Sequence, residues 1–182
     1  GVCCMKKVKE ILNHIFIDGL SGMALGLFAT LIVGTIITQA GSLIGGIAGH
    51  YLVIFGKLAQ ALTGAGIGVG VAYKYKESPL VTISAAVAGL VGAFASKIIA
   101  GTVLVDGVIT LAGPGEPLGA FIAAFVAVTC GHIVSGKTKI DILITPVTTI
   151  LTGSIVGIIV GPPISEFMIK LGELINWGTA QQ

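Results

Sequence analysis

The stretch KYKESPLVTISAAVAGLVGAFASKII, residues 74–99, decides the fold. It opens on Lys74 and Lys76, passes through Ser78 and Pro79, and then runs apolar from Leu80 to Ala95, relieved only by Thr82, Ser84 and glycines. An apolar run near 20 residues is long enough to cross a hydrocarbon core about 30 Å thick as a helix. Pro79 suits a first helical turn, where a missing N–H donor does no harm. Outward from this stretch the same arrangement recurs. Lysines gather at Lys6/Lys7/Lys9, Lys74/Lys76 and Lys137/Lys139, and almost everything between them is apolar or glycine. Each interval fits an outward and a return crossing. Short loops rich in lysine stay on the cytoplasmic side, so the three clusters mark that face and place the N-terminus there.

Composition supports this reading. Of 182 residues, 54% are hydrophobic and only 10% charged, against roughly 25% charged in a soluble domain; mean hydropathy is +1.05. A soluble fold is excluded, and so is a β-barrel, because short alternating segments are missing. A net charge of +2 without any arginine gives no footprint for nucleic acid. Cys3, Cys4 and Cys130 form neither a disulfide framework nor a metal-ligand spacing. Met5 followed by lysines reads as a natural start, which leaves Gly1 to Cys4 as an upstream addition. Gly1 lacks the hydroxyl residue of a myristoylation site, palmitoylation at Cys3 or Cys4 stays open, and Gly19 to Thr38 is too long for a signal-peptide core.

The expected fold class is all-α: a polytopic transmembrane helical bundle of about five spans with interfacial amphipathic helices. Re-entrant segments are an alternative for its glycine-rich parts. The chain reads as one membrane domain. Residues 1–18 form a cytoplasmic interfacial helix, with Val8, Ile11, Leu12, Ile15 and Phe16 on one face of Lys6 to Ile17. Residues 19–161 form the bundle, with spans at Gly19–Thr38, Tyr51–Tyr73, Pro79–Ile99, Pro117–Val134 and Ile142–Val160. Gln39 to Ser42 make an outer turn, Ser42 to His50 an outer approach or re-entrant segment, and Val103 to Leu111 a short hairpin dipping in from outside. Gly64, Gly66, Gly68 and Gly70 leave a side-chain-free strip for close helix contact, or break the helix locally. Gly161, Pro162 and Pro163 stop span five, and residues 162–182 form an outer amphipathic helix.

No paired carboxylates, nucleophile elbow, phosphate loop or zinc motif is present, so no residue is assigned a catalytic, cofactor or metal role. Ionisable groups within spans face a cavity, a partner or an interface. Lys57 and Lys97 therefore either snorkel to headgroups or contact a polar solute, together with His50 and Gln60. In the TPVTT run the hydroxyls of Thr145, Thr148 and Thr149 either satisfy carbonyls freed by Pro146 or face a solute path. His14 reads as interfacial, and His132 beside Cys130 as packing.

The segment KIDILITPVTTILTGSIVGIIVGPPISEFMIKLGELINWGTAQQ, with the earlier ESPLVTISAAVAGLVGAFA, resembles the amino-terminal half of the second class of phosphotransferase-system EIIC membrane proteins, which includes the perfringolysin regulator-like proteins. The resemblance runs from about Lys9 to Gln182. It implies a bacterial inner-membrane permease component that binds and passes a sugar, while separate A and B units carry the phosphoryl group. It also implies a chain that stops after the first half of its family's architecture, either as a fragment of a longer protein or as a homo-oligomer that completes the pathway by dimerising. The expected partners are the lipid bilayer, a sugar or other small polar solute, and those A and B units. The competing reading is a membrane-embedded sensor that binds a small metabolite or lipid without transporting it.

Overall fold

The computed structural model describes Glu10 and residues 13–179. Half of the expected Lys6–Ile17 helix, together with Cys3, Cys4 and Gln182, lies outside the described residues. Helix α1 (residues 14–44) is helical throughout, with π-helical turns at His14–Gly19 and Phe28–Ile32. In the second of these, the Thr30 hydroxyl donates to Gly26 O at 2.7 Å. A side-chain hydroxyl competing for a helix carbonyl is a recognised cause of such distortion. There is no break at Asp18 and Gly19, so residues 14–18 continue directly into the span.

The outer turn expected at Gln39–Ser42 and the re-entrant segment at Ser42–His50 are both replaced by a reversal at Gly45 and Gly46, each at positive φ. Helix α1 runs on to Ile44, Gly45 turns the chain with φ 66° and ψ −172°, and α2 (Gly46–Ala61) begins at once. Glycine adopts that conformation without steric penalty. The neighbouring glycines are contact points. A Cβ on Gly41 would stand 2.7 Å from Gly49 O, and one on Gly34 would stand 2.8 Å from Gly56 O. The two backbones approach as closely as glycine allows, which is how apolar helices gain dispersion contact inside a bilayer.

A 54° bend at Leu62 separates α2 from α3 (Thr63–Lys74), so the span is broken ahead of the alternating glycines, and the helix runs on through all four of them. The alternating glycines of α3 also differ from the single strip expected. Residues two apart on a helix point about 200° away from each other. Gly66 and Gly70 accordingly meet Gly26 and Gly22 of α1, whereas Gly64 and Gly68 meet Gly89 and Ala85 on the following helix. Helix α3 lies between two neighbours and is stripped of side chains toward both.

Helix α4 (Pro79–Ala93) starts at Ser78, whose hydroxyl accepts from Val81 N at 3.4 Å, with Pro79 in the first turn. It yields at Phe94 to a short α5 (Ala95–Ile99). Beside the break, Ala93 O accepts from Glu116 N at 2.8 Å, tying this turn to the start of the following helix. Strands β1 (Leu104–Val105) and β2 (Val108–Ile109) pair antiparallel within the expected 103–111 hairpin. Asp106 and Gly107 turn it at φ 50° and 77°, as primed hairpin turns require.

Helix α6 (Pro117–Val134) precedes α7 (Asp141–Thr179), a single rod of 39 residues. The expected stop at Gly161–Pro163 is corrected: the helix passes through both prolines. Two ladder donors are missing there, but contacts to other helices hold the rod. A Cβ on Gly161 would stand 2.5 Å from Ala95 Cβ, and the Ser165 hydroxyl donates to Glu116 Oε1 at 2.5 Å.

The core lies among α3, α4 and α6, where Ile67, Val71, Val81, Ala85, Phe94, Ala120, Phe121, Ala124 and Val128 are buried. Gly153 and Gly157 seat α7 against Ala123, Ala127 and Gly92. Among the described residues, three helices have the length and apolarity of a membrane span: Phe16–Ile44, Pro117–Val134 and Asp141–Thr179. The bent α2–α3 pair makes a fourth, and α4 is a shorter apolar helix. Leu43, Ile47 and Ile142 are more than three-quarters exposed, as lipid-facing side chains are. The all-α membrane bundle is thus the observed fold.

Candidate functional site

The end of the bundle that carries Lys74, Lys76, Lys137 and Lys139 also brings together side chains from four stretches of sequence. Helix α3 ends in a tight cap: Lys76 N donates to Tyr73 O at 3.0 Å and Glu77 N to Ala72 O at 3.1 Å, with Lys76 at φ 55°. This pair of bonds satisfies terminal helix carbonyls. The cap leaves only a short link to α4 and sinks Glu77, whose side chain is 8% exposed. His132 in the last turn of α6 holds its Nδ1 3.0 Å from Glu77 Oε1. A carboxylate that far out of water needs such a partner.

Tyr75 lies beside this pair. Its hydroxyl donates to His14 O at 2.9 Å, and its ring is 4.4 Å from the His14 ring and 6.1 Å from that of Phe125. His14 in turn lies 3.3 Å from Asp18, one helical turn along α1. Burial, and then the negative charge of Asp18, push the Tyr75 phenol up to about 12. Tyr75 therefore stays a neutral donor at physiological pH. Thr129 donates to Phe125 O at 2.8 Å, leaving its oxygen lone pairs free to accept.

These groups line a cavity of about 490 Å³ walled by His14, Tyr75, Glu77, Phe125, Val128, Thr129, His132 and Ile133. That is within the usual range for a small-molecule site. Aromatic faces supply apolar contact, while carboxylate, imidazole and hydroxyl supply acceptors and donors for a polyhydroxylated solute.

The residues singled out from the sequence do not gather here. His50 and Lys57 are exposed along α2. Gln60 Nε2 donates to Thr35 Oγ1 at 3.1 Å, tying α2 to α1. Lys97 donates to Ala112 O at 2.6 Å and lies 5.4 Å from the Phe94 ring centroid, at the other end of the bundle. Thr145 is buried and donates to Asp141 Oδ1 at 2.5 Å, and that oxygen also accepts from Gly136 N at 2.8 Å. Thr149, also buried, donates to Thr145 O at 2.7 Å, and half-buried Thr148 accepts at its carbonyl from Thr152 at 2.7 Å. Along the sequence Tyr75 and Glu77 fall in the loop that Lys74 and Lys76 mark, and His132 reads as packing, so none of the three stands out. One signal pointed toward the pair: Lys74/Lys76 and Lys137/Lys139 mark the same face, so Glu77 and His132 had to share an end. Their contact across 55 positions is a matter of how α4 and α6 sit together.

A family model described as "Phosphotransferase system, EIIC" matches residues 17–182. The chain belongs to this EIIC family. No curated protein and no solved structure matches it. Membership makes this EIIC chain an integral membrane permease component of the phosphotransferase system, in a family with sugar substrates and with A and B partner units. The resemblance drawn from KIDILITPVTT and the following residues is thereby confirmed.

Proposed function

We propose that this EIIC chain binds a sugar in the cavity between Tyr75, Glu77, Phe125 and His132 and passes it across the bacterial inner membrane. The single observation that carries the proposal is the sunken Glu77 carboxylate held by the exposed His132, set beside aromatic walls in a cavity open at one end of the bundle. A sugar presents hydroxyl donors and acceptors around a ring whose C–H faces lie well on aromatic rings. This cavity offers both kinds of contact. In this reading the lysine-bearing end faces the cytoplasm, where A and B units approach, and the exposed apolar faces of α1 and α2 support assembly with further copies.

The test is phosphoenolpyruvate-dependent uptake of labelled sugars into vesicles holding the chain and its A and B units. Glu77→Gln and His132→Gln each lower uptake about tenfold or more, the scale of a lost charge-assisted hydrogen bond. Full uptake in both variants refutes the assignment of the cavity. Sugar binding without uptake by the intact system replaces transport with the sensor reading.

A further inference from the structure

A second cavity, also about 490 Å³, lies between Tyr73, Lys74, Lys76, Glu77 and Thr82 and shares Glu77 with the first. Its wall carries two ammonium groups, one carboxylate, a phenol and a hydroxyl. Lys74 and Lys76 form no ion pair among the described residues, while Glu77, the carboxylate on the wall, is paired with His132. Tyr73 is largely exposed and adds a phenol donor. Thr82 donates its proton to Ser78 O at 3.0 Å, so donors come from the lysines and the phenol. Lys76 is also held at φ 55°, a conformation that glycine adopts freely and other residues seldom do. A preference for lysines in cytoplasmic loops accounts for their side of the membrane. It does not account for a cavity that gathers two ammonium groups, neither of them in an ion pair among the described residues, on one wall.

We propose that this cavity binds a phosphate monoester dianion. Two ammonium groups and a phenol supply several strong donors and two positive charges, matched to an anion with three terminal oxygens. Resting on the sugar-binding reading, the phosphate is that of a phosphorylated sugar whose ring occupies the adjoining cavity, with Glu77 at the junction. The same chemistry would be satisfied by the headgroup of phosphatidic acid.

Inorganic phosphate, titrated onto the purified chain in a phosphate-free, sugar-free detergent and followed by 31P NMR line broadening, reads the site directly. Binding is saturable. Lys74→Gln and Lys76→Gln each weaken it about tenfold, while the double change Lys137→Gln/Lys139→Gln, whose side chains line neither cavity, leaves it within about twofold. Equal loss from both lysine pairs, or no saturable binding, overturns the proposal, since either outcome means a diffuse positive surface.

Two further arms identify the source. Hexose phosphates that bind at least tenfold tighter than inorganic phosphate, and lose that advantage in His132→Gln, support a sugar phosphate. Displacement of inorganic phosphate by phosphatidic acid vesicles but not by phosphatidylcholine vesicles, with no hexose phosphate advantage, supports the site with a lipid headgroup as ligand. Loss of sugar uptake with phosphate binding intact removes the transport reading and leaves this site standing. Far-UV circular dichroism of each variant confirms that the helices are retained.

Discussion

Gly68 and Gly70 sit on nearly opposite faces of α3, and both faces are closed by another helix's backbone. A Cβ on Gly68 would stand 2.7 Å from Ala85 C and 2.9 Å from Ala86 Cα of α4, and one on Gly70 would stand 3.1 Å from Gly22 C and 3.2 Å from Gly26 N of α1. Neither obstacle is a side chain that can swing aside, so α4 or α1 must shift. Overpacking of this kind costs about 1–3 kcal/mol, and backbone obstacles place it near 3. Alanine returns about 1 kcal/mol of helix propensity. The expected net loss for Gly68→Ala and for Gly70→Ala is therefore about 2 kcal/mol each, a factor of roughly 30 in the folding equilibrium. Gly172→Ala is the control, because a Cβ there meets nothing within 4 Å; it gains up to about 1 kcal/mol. Reversible unfolding in mixed micelles, followed by far-UV circular dichroism, measures all three. If either α3 substitution behaves like Gly172→Ala, α3 is not enclosed on both sides and the two-seam account fails.

Three other perturbations bear on separate parts of the structure. The folded Tyr75 phenol holds its proton to about pH 12 against 10.0 for the free group. The unfolded chain therefore ionises first, and stability that is complete below pH 10 falls as pH rises toward 12; pH-dependent unfolding in micelles should lose this slope in Tyr75→Phe. Gly45→Ala has room for its methyl group but must hold φ at 66° with ψ at −172°, so it should cost about 1–3 kcal/mol in the same unfolding assay, and no cost would place the α1–α2 reversal elsewhere. Thr149→Val removes a hydroxyl already donated to Thr145 O; sugar binding by equilibrium dialysis should change less than about twofold, whereas a loss comparable to a deleted hydrogen bond would make Thr149 a solute contact.

Much of this architecture was legible because it depends on one helix at a time. Hydropathy, the Ser78–Pro79 helix start and the Pro117 start are local, and each appears where the sequence placed it. The misplaced features involve a second helix. Gly41 and Gly49 fall in the expected outer turn and outer approach and are helix contact points, and Pro162 and Pro163 read as a stop in a rod that Ala95 and Glu116 hold in place. A glycine in an apolar run marks either a break or a close approach, and only the neighbour decides which.

The sequence by itself determined that this is a helical membrane protein of the EIIC kind, and its lysines grouped Lys74/Lys76 with Lys137/Lys139 at one end. Transfer of apolar residues into a bilayer and the cost of moving lysine through it act on each segment separately, so composition and order are enough. The tertiary structure alone decided that α3 is enclosed on two faces, that α1 reverses at Gly45 and Gly46, and that Glu77 meets His132 beside Tyr75. Those outcomes depend on which faces come within a few ångströms of one another, and short-range packing and hydrogen bonding between distant segments leave no periodic trace along the chain.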